Sequence, residues 1–157
     1  MHKVFVFGTL KRGFANHDEG MRGERLLGEY RTVERYPMVV AGRWFSPVMM
    51  PEPGVGERVC GELYEVGDAK LAELDRIEST HLPDGYRRHT IAVECRRTGA
   101  VFEAQAYMKE RRLVTPVHSG YLDDYRDDRY VHRSRRPSEG QPDARDFSMN
   151  TLSGSGR

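Results

Sequence analysis

Four apolar residues in succession, Val4-Phe5-Val6-Phe7, stopped by Gly8, form a run that water does not solvate well. A short run without polar alternation reads as a buried strand, so the rest of the chain has to cover it. Most of that cover is itself strand. Leu26–Val33 and Met38–Ala41 read as strands separated by a turn at Tyr36-Pro37. Arg58–Val66 alternates in part, with Val59, Gly61, Leu63 and Glu65 opposing Cys60, Glu62, Tyr64 and Val66. Arg87–Cys95 and Val101–Met108 read as a hairpin turning at Arg97-Thr98-Gly99. One stretch has a strong helical period, Ala69 to about Ser79, with Asp68 as its expected cap. Asn16-His17-Asp18 can open a short helix, and a second short helical piece is expected near Tyr121–Arg126. Ser46 to Gly56, rich in Pro and Gly, reads as a long irregular connection. A strand-rich chain with one good helix implies an α+β domain built on a curved sheet or barrel.

The 157 residues suit one domain with a core large enough to need no staple. Their 25 basic and 24 acidic groups nearly cancel, which excludes a broad electrostatic claim on nucleic acid or an acidic membrane. From Arg133 onward Arg, Ser, Gly, Pro and Asp dominate, so 133–157 is expected to be a disordered tail beside a domain at 1–132. That tail carries five Arg against three acids, and any nucleic-acid reading is confined to its Arg133-Ser134-Arg135-Arg136 segment rather than to the domain. Only four basic residues are lysines (Lys3, Lys11, Lys70 and Lys109), an excess of Arg to which no function attaches. Cys60 and Cys95 have no partner at metal-ligand spacing and read as core residues rather than a disulfide. No apolar run approaches the ~20 residues of a membrane span, and the opening residues lack a signal-peptide pattern. A cytoplasmic, membrane-free protein is expected.

The helix carries an acid on its greasy side. At about 100° per residue, Glu78 falls within the stripe defined by Leu71 and Leu74, whereas Glu73 points away and Asp75 sits at the border. A carboxylate there is costly unless it is partnered or protonated, and the negative end of the helix adds to the cost. Both effects push its pKa towards that of a general base working near neutrality. The alternatives are a buried ion pair, with Arg87 or Arg88 as partner, or a helix that ends early and leaves Glu78 exposed.

Phe7-Gly8-Thr9-Leu10-Lys11-Arg12-Gly13 is the second feature. Gly8 permits backbone conformations in which consecutive N–H groups converge on an anion. Gly8 and Gly13 have the spacing of half a phosphate loop, but Phe14-Ala15 stands where Lys-Ser/Thr is required, so a Walker-type site is excluded. Gly54-Val55-Gly56 likewise fails as a dinucleotide fingerprint. A plain strand-to-turn junction is the alternative. Asn16 reads best as a helix cap, and His17 has no metal-binding partner at ligand spacing, so no metal is expected.

Together, Val4 to Gly13 and the following Asn16-His17 resemble the opening of the γ-glutamylcyclotransferase-like family, nearest its γ-glutamylamine cyclotransferase branch. The resemblance continues through Tyr36–Gly42, Gly61–Val66, Leu74-Asp75-Arg76-Ile77-Glu78-Ser79, Tyr86-Arg87-Arg88, Ala106-Tyr107 and Ser119-Gly120, across essentially all of 1–130. It implies a small mixed β-barrel with flanking helices. It also implies a cofactor-free reaction in which the α-amino group of a γ-glutamyl amine or peptide attacks its own γ-carbonyl, leaving 5-oxoproline. By that resemblance Glu78 is the general base and the loop Phe7, Gly8, Thr9 and Leu10 binds the glutamyl end; Tyr107 reads as a cavity-lining, substrate-binding residue, with plain barrel core as the alternative. A ring closure of this kind mainly needs a folded substrate, a base and N–H donors for the developing charge.

Two positions depart from the family pattern. Phe7 stands where many relatives have Tyr, and Tyr121 follows Ser119-Gly120 where many bacterial relatives carry an acid. The alternative function is a catalytically inactive small-molecule or protein-binding module on the same fold, which Phe7 favours and Glu78 disfavours.

Overall fold

The computed structural model describes residues 1–137. In chain order the strands are β1 (His2–Val6), β2 (Arg25–Tyr36), β3 (Met38–Ala41), β4 (Ser46–Met49), β5 (Glu57–Val66), β6 (Arg87–Cys95) and β7 (Val101–Met108). The helices are α1 (His17–Gly20) and α2 (Asp68–Ile77), with 3-10 turns at Arg111–Leu113 and Arg133–Arg135. Strands β1, β5, β2, β6 and β7 close in that order into a mixed barrel, and β3 and β4 form a separate hairpin. All barrel pairs are antiparallel except the seam of β1 with β7, where Val4 lies opposite Gln105 in parallel.

The apolar run that opens the chain is now explained. Phe5 points into the barrel core with Leu63, Val59, Val93 and Ala104. Val4 and Val6 point outward, under α2, with Tyr64, Val66, Leu71 and Leu74. A strand buried on both faces has no use for polar residues. The same division runs along β5, and Gly61 there leaves no room for a Cβ beside the Val6 carbonyl and the Phe5 ring.

Several expected elements differ. Asp68 is the first residue of α2 rather than its cap; Gly67 holds the cap position, and the Asp68 carboxylate bonds His2 Nε2 at 2.5 Å instead. The connection expected at 46–56 begins as strand β4, whose Pro47 opposes Val40 in a two-stranded hairpin and so breaks no larger ladder. Strand β2 runs three residues beyond Val33, with register shifts against β5. No helix forms at 121–126: Tyr125 inserts into the barrel core, and the Leu122 N–H bonds the Met38 carbonyl across the hairpin. Of the expected tail, residues 138–157 lie outside the described residues, but the chain continues past 132 through a 3-10 turn to residue 137. Among the described residues no helix is long and apolar enough to cross a membrane.

Candidate active site

A cavity of about 520 Å³ opens where β1 leaves the barrel. Phe7, Gly8, Thr9, Leu10, Glu78 and Tyr107 all line it. Residues 70 positions apart meet because α2 packs on the outer face of β1 and β5, so its C-terminal end stops beside the loop that follows β1.

The loop is held by its carbonyls. Gly8 O accepts from Lys11 N at 3.0 Å, Thr9 O from Asn16 N at 2.8 Å, and Leu10 O lies 3.0 Å from His17 Nδ1. The N–H groups of Gly8, Thr9 and Leu10 make no hydrogen bond to the described residues. Among the described residues these three consecutive donors are therefore unspent. Gly8 is required here by close approach, since a Cβ would run into the Pro47 ring of β4. Asn16 does not cap α1 with its side chain. Its Nδ2 instead donates to Thr9 Oγ1 at 2.9 Å and Tyr130 OH at 3.0 Å, tying the loop to the last described segment. His17 thus orients the loop, and among the described residues no three His, Cys, Asp or Glu side chains gather as a metal cluster.

Glu78 occupies the C-cap of α2, with its N–H bonded to Leu74 O. Ser79 then takes φ 57, a left-handed conformation that turns the chain sharply after the acid. The carboxylate has no hydrogen bond or ion pair among the described residues. Neither expected partner reaches it: Arg88 Nε pairs with Asp75 at 2.9 Å, and Arg87 turns back to the Tyr86 carbonyl. Burial pushes Glu78 up to about 7 from the ordinary 4.5, against the opposing pull of Arg133 and Lys109. At neutral pH both protonation states are populated, which suits a group that takes and returns a proton.

Phe7 stacks on Phe5, with ring centroids 6.4 Å apart, and forms an apolar wall. Tyr107 is buried in one cluster with Leu10 and Leu74, and its hydroxyl is already spent, donating to Asp75 Oδ1 at 2.7 Å.

Further residues complete the wall. Trp44, Tyr86, Lys109, Tyr130, Arg133 and Arg136 all line the cavity. Arg136 stacks over Trp44 at 5.1 Å and Tyr130 at 5.6 Å, and Val131 N bonds the Trp44 carbonyl at 3.0 Å. Two residues of the Arg133–Arg136 run, its first and last, are thus part of the wall. Tyr86 belongs to a motif already singled out, whereas the C-terminal residues come from irregular chain with no periodic signal.

The profile described as "Gamma-glutamyl cyclotransferase, AIG2-like" matches residues 4–134. The Bos taurus protein named gamma-glutamylaminecyclotransferase is 40% identical over 126 residues, covering 78% of this chain and 74% of its own length. Gamma-glutamylaminecyclotransferase C of Danio rerio is 35% identical over 132 residues, covering 76% of this chain and 86% of its own. The crystal structure of an AIG2-like protein from Mus musculus superposes with a TM-score of 0.75 at 30% identity, covering 87% of this chain and 99% of that one.

Proposed function

Because the chain belongs to the gamma-glutamyl cyclotransferase, AIG2-like family, we propose that it is a cyclotransferase converting a γ-glutamyl amine or γ-glutamyl peptide to 5-oxoproline and the free amine. The α-nitrogen of the glutamyl unit attacks its own γ-carbonyl carbon and forms the five-membered ring. Glu78 takes the proton that the nitrogen sheds and returns it to the departing amine nitrogen as the old C–N bond breaks. No external reactant enters, so the protein's part is to fold the substrate and manage one proton.

Gly8, Thr9 and Leu10 present their N–H groups to an anionic oxygen of the substrate, either the α-carboxylate or the oxyanion formed at the γ-carbon. Phe7 and Tyr107 confine the glutamyl methylenes. The observation that carries this reading is one cavity lined both by a carboxylate raised to about 7 and by three consecutive backbone donors, none of them with a hydrogen-bond partner among the described residues. The free thiols of Cys60 and Cys95 fit a reducing compartment such as the cytoplasm.

The test is incubation with a panel of γ-glutamyl amines and γ-glutamyl amino acids while following 5-oxoproline. Product from the wild-type protein and a large loss in Glu78→Gln are expected. Equal product from both would remove Glu78 as the base. An absence of product from every substrate would favour a binding module on the same barrel.

A further inference from the structure

The end of α2 lies beside two strands whose side chains converge on one carboxylate oxygen. Arg88 of β6 and Tyr107 of β7 are direct cross-strand partners, so they leave the barrel on the same face. Both reach Asp75 Oδ1: the Tyr107 hydroxyl donates to it at 2.7 Å, and Arg88 Nε lies 2.9 Å from it. Burial raises the Tyr107 pKa, and the bond to Asp75 adds to the rise, so the hydroxyl keeps its proton and stays a donor. Three side chains from three elements thus form a lock, closed one helical turn before Glu78.

Asp75 and Glu78 are three residues apart, so their side chains are neighbours on α2, with Cβ atoms ~5–6 Å apart. Backbone bonds fix Glu78 there, from its N–H to the Leu74 carbonyl at 2.9 Å and from the Tyr86 N–H to its own carbonyl at 3.1 Å. A guanidinium that reaches Asp75 is therefore within a few bond rotations of Glu78. An ion pair formed there would hold Glu78 as an anion and make it a weak base. With Asp75 and Arg88 paired to each other, their opposite charges nearly cancel at Glu78. The other groups around Glu78 come from separate elements. Arg133 and Lys109 act on it as cations, and Tyr86 and Tyr107 face it as neutral hydroxyls. Arg43, Asp84, Tyr130 and Arg136 complete the ionisable lining of the cavity among the described residues.

Resting on the function proposed above, we propose that Asp75 is a positioning residue that draws Arg88 away from Glu78 and so keeps this guanidinium off the base. Tyr107 fixes the orientation of the Asp75 carboxylate that receives Arg88. Arg88 in turn cancels the charge of Asp75, which would otherwise repel the anionic form of Glu78.

The experiment titrates Glu78 in two ways. One is NMR of protein labelled with carbon-13 at the glutamate carboxyls, with Glu78→Gln identifying the signal. The other is the acid limb of kcat/KM for 5-oxoproline formation from the γ-glutamyl substrate that the wild-type protein turns over fastest. Asp75→Asn keeps an oxygen for Tyr107 but releases Arg88, and both midpoints should fall from about 7 by ~1 pH unit or more. Arg88→Gln leaves Asp75 uncompensated and should move both midpoints upward. Asp75→Asn with Arg88→Gln should return them close to the wild-type value. A general loosening of the fold produces neither the opposite signs nor the cancellation. Arg87→Gln removes an exposed neighbouring arginine that turns back to the Tyr86 carbonyl, and should leave both midpoints in place. Groups elsewhere in the chain, within or outside the described residues, are common to every variant and drop out of the comparison. An unmoved midpoint in Asp75→Asn, or a double variant displaced as far as Asp75→Asn, overturns the inference while the cyclotransferase reading stands. No 5-oxoproline from the wild-type protein overturns that reading, and the part of the lock in catalysis with it.

Discussion

Replacing Glu78 by Gln should make the protein a poorer catalyst and a more stable fold, and the second effect can be worked out from the site. The fold holds this carboxyl at about 7 instead of 4.5, because burial disfavours its charge. Below the lower value the group is neutral both folded and unfolded, so Glu and Gln should be equivalent. As the pH rises from there, the unfolded chain ionises while the native state keeps its proton, and the wild-type protein loses stability. The loss is complete once the pH passes about 7. At ~1.4 kcal/mol per pKa unit the ceiling is about 3 kcal/mol, and water entering the open cavity should reduce it to about 1–2 kcal/mol. Urea unfolding followed by the single Trp44, at pH 4.5, 6 and 8, gives the required series. The stability gap between variant and wild type should be near zero at the lowest pH and widest at the highest. A gap that stays flat across the series, or a Gln variant that is weaker at pH 8, would mean that burial does not hold the proton there. The loss of activity should be ~10²–10⁴-fold, the usual range for removing a general base.

Three other perturbations test neighbouring parts of the site. In wild-type kcat/KM, the acid limb should fall as pH drops through about 7, since only ionised Glu78 accepts a proton; a limb centred near 4.5 would assign that role to an ordinary carboxylate. Gly8→Ala drives a methyl group into the Pro47 ring, so we expect a stability cost of ~1–3 kcal/mol by thermal unfolding. Its 5-oxoproline formation should fall disproportionately, because the three N–H donors move with the loop. Ser79→Gly relieves a left-handed residue and should raise stability by up to ~1 kcal/mol, whereas Ser79→Val should lower it; matching melting temperatures for the two would remove strain from the account of this turn.

Much of the fold was legible where the side-chain period reports burial directly. Strands β3, β6 and β7 lie where their apolar pattern put them, and Glu78 was visible as an acid inside a stripe of leucines. The misses share a physical cause: local pattern was overruled by a distant partner. Leu122 and Tyr125 have helical spacing, yet Tyr125 is taken by the barrel core. Pro47 looked like a breaker, but a hairpin of two strands tolerates it. Arg88 looked available to Glu78 and is held by Asp75 one turn earlier. The wall built by Tyr130, Arg133 and Arg136 has no periodic signature, because its position depends on Asn16 and Trp44, more than 80 residues away in the chain.

The parallel seam between β1 and β7 has a consequence for the protein's life on the ribosome. The loop after β1 is made before α2 and β7, yet its strand is flanked on one side by a partner synthesised about a hundred residues later. A chain halted before Val101 has no closed barrel, no Tyr107 and no wall at Tyr130. Fragments that stop short of β7 hold the loop and Glu78 but leave the barrel open and the cavity without its later walls, and the site is complete only once the last strand has docked beside the first.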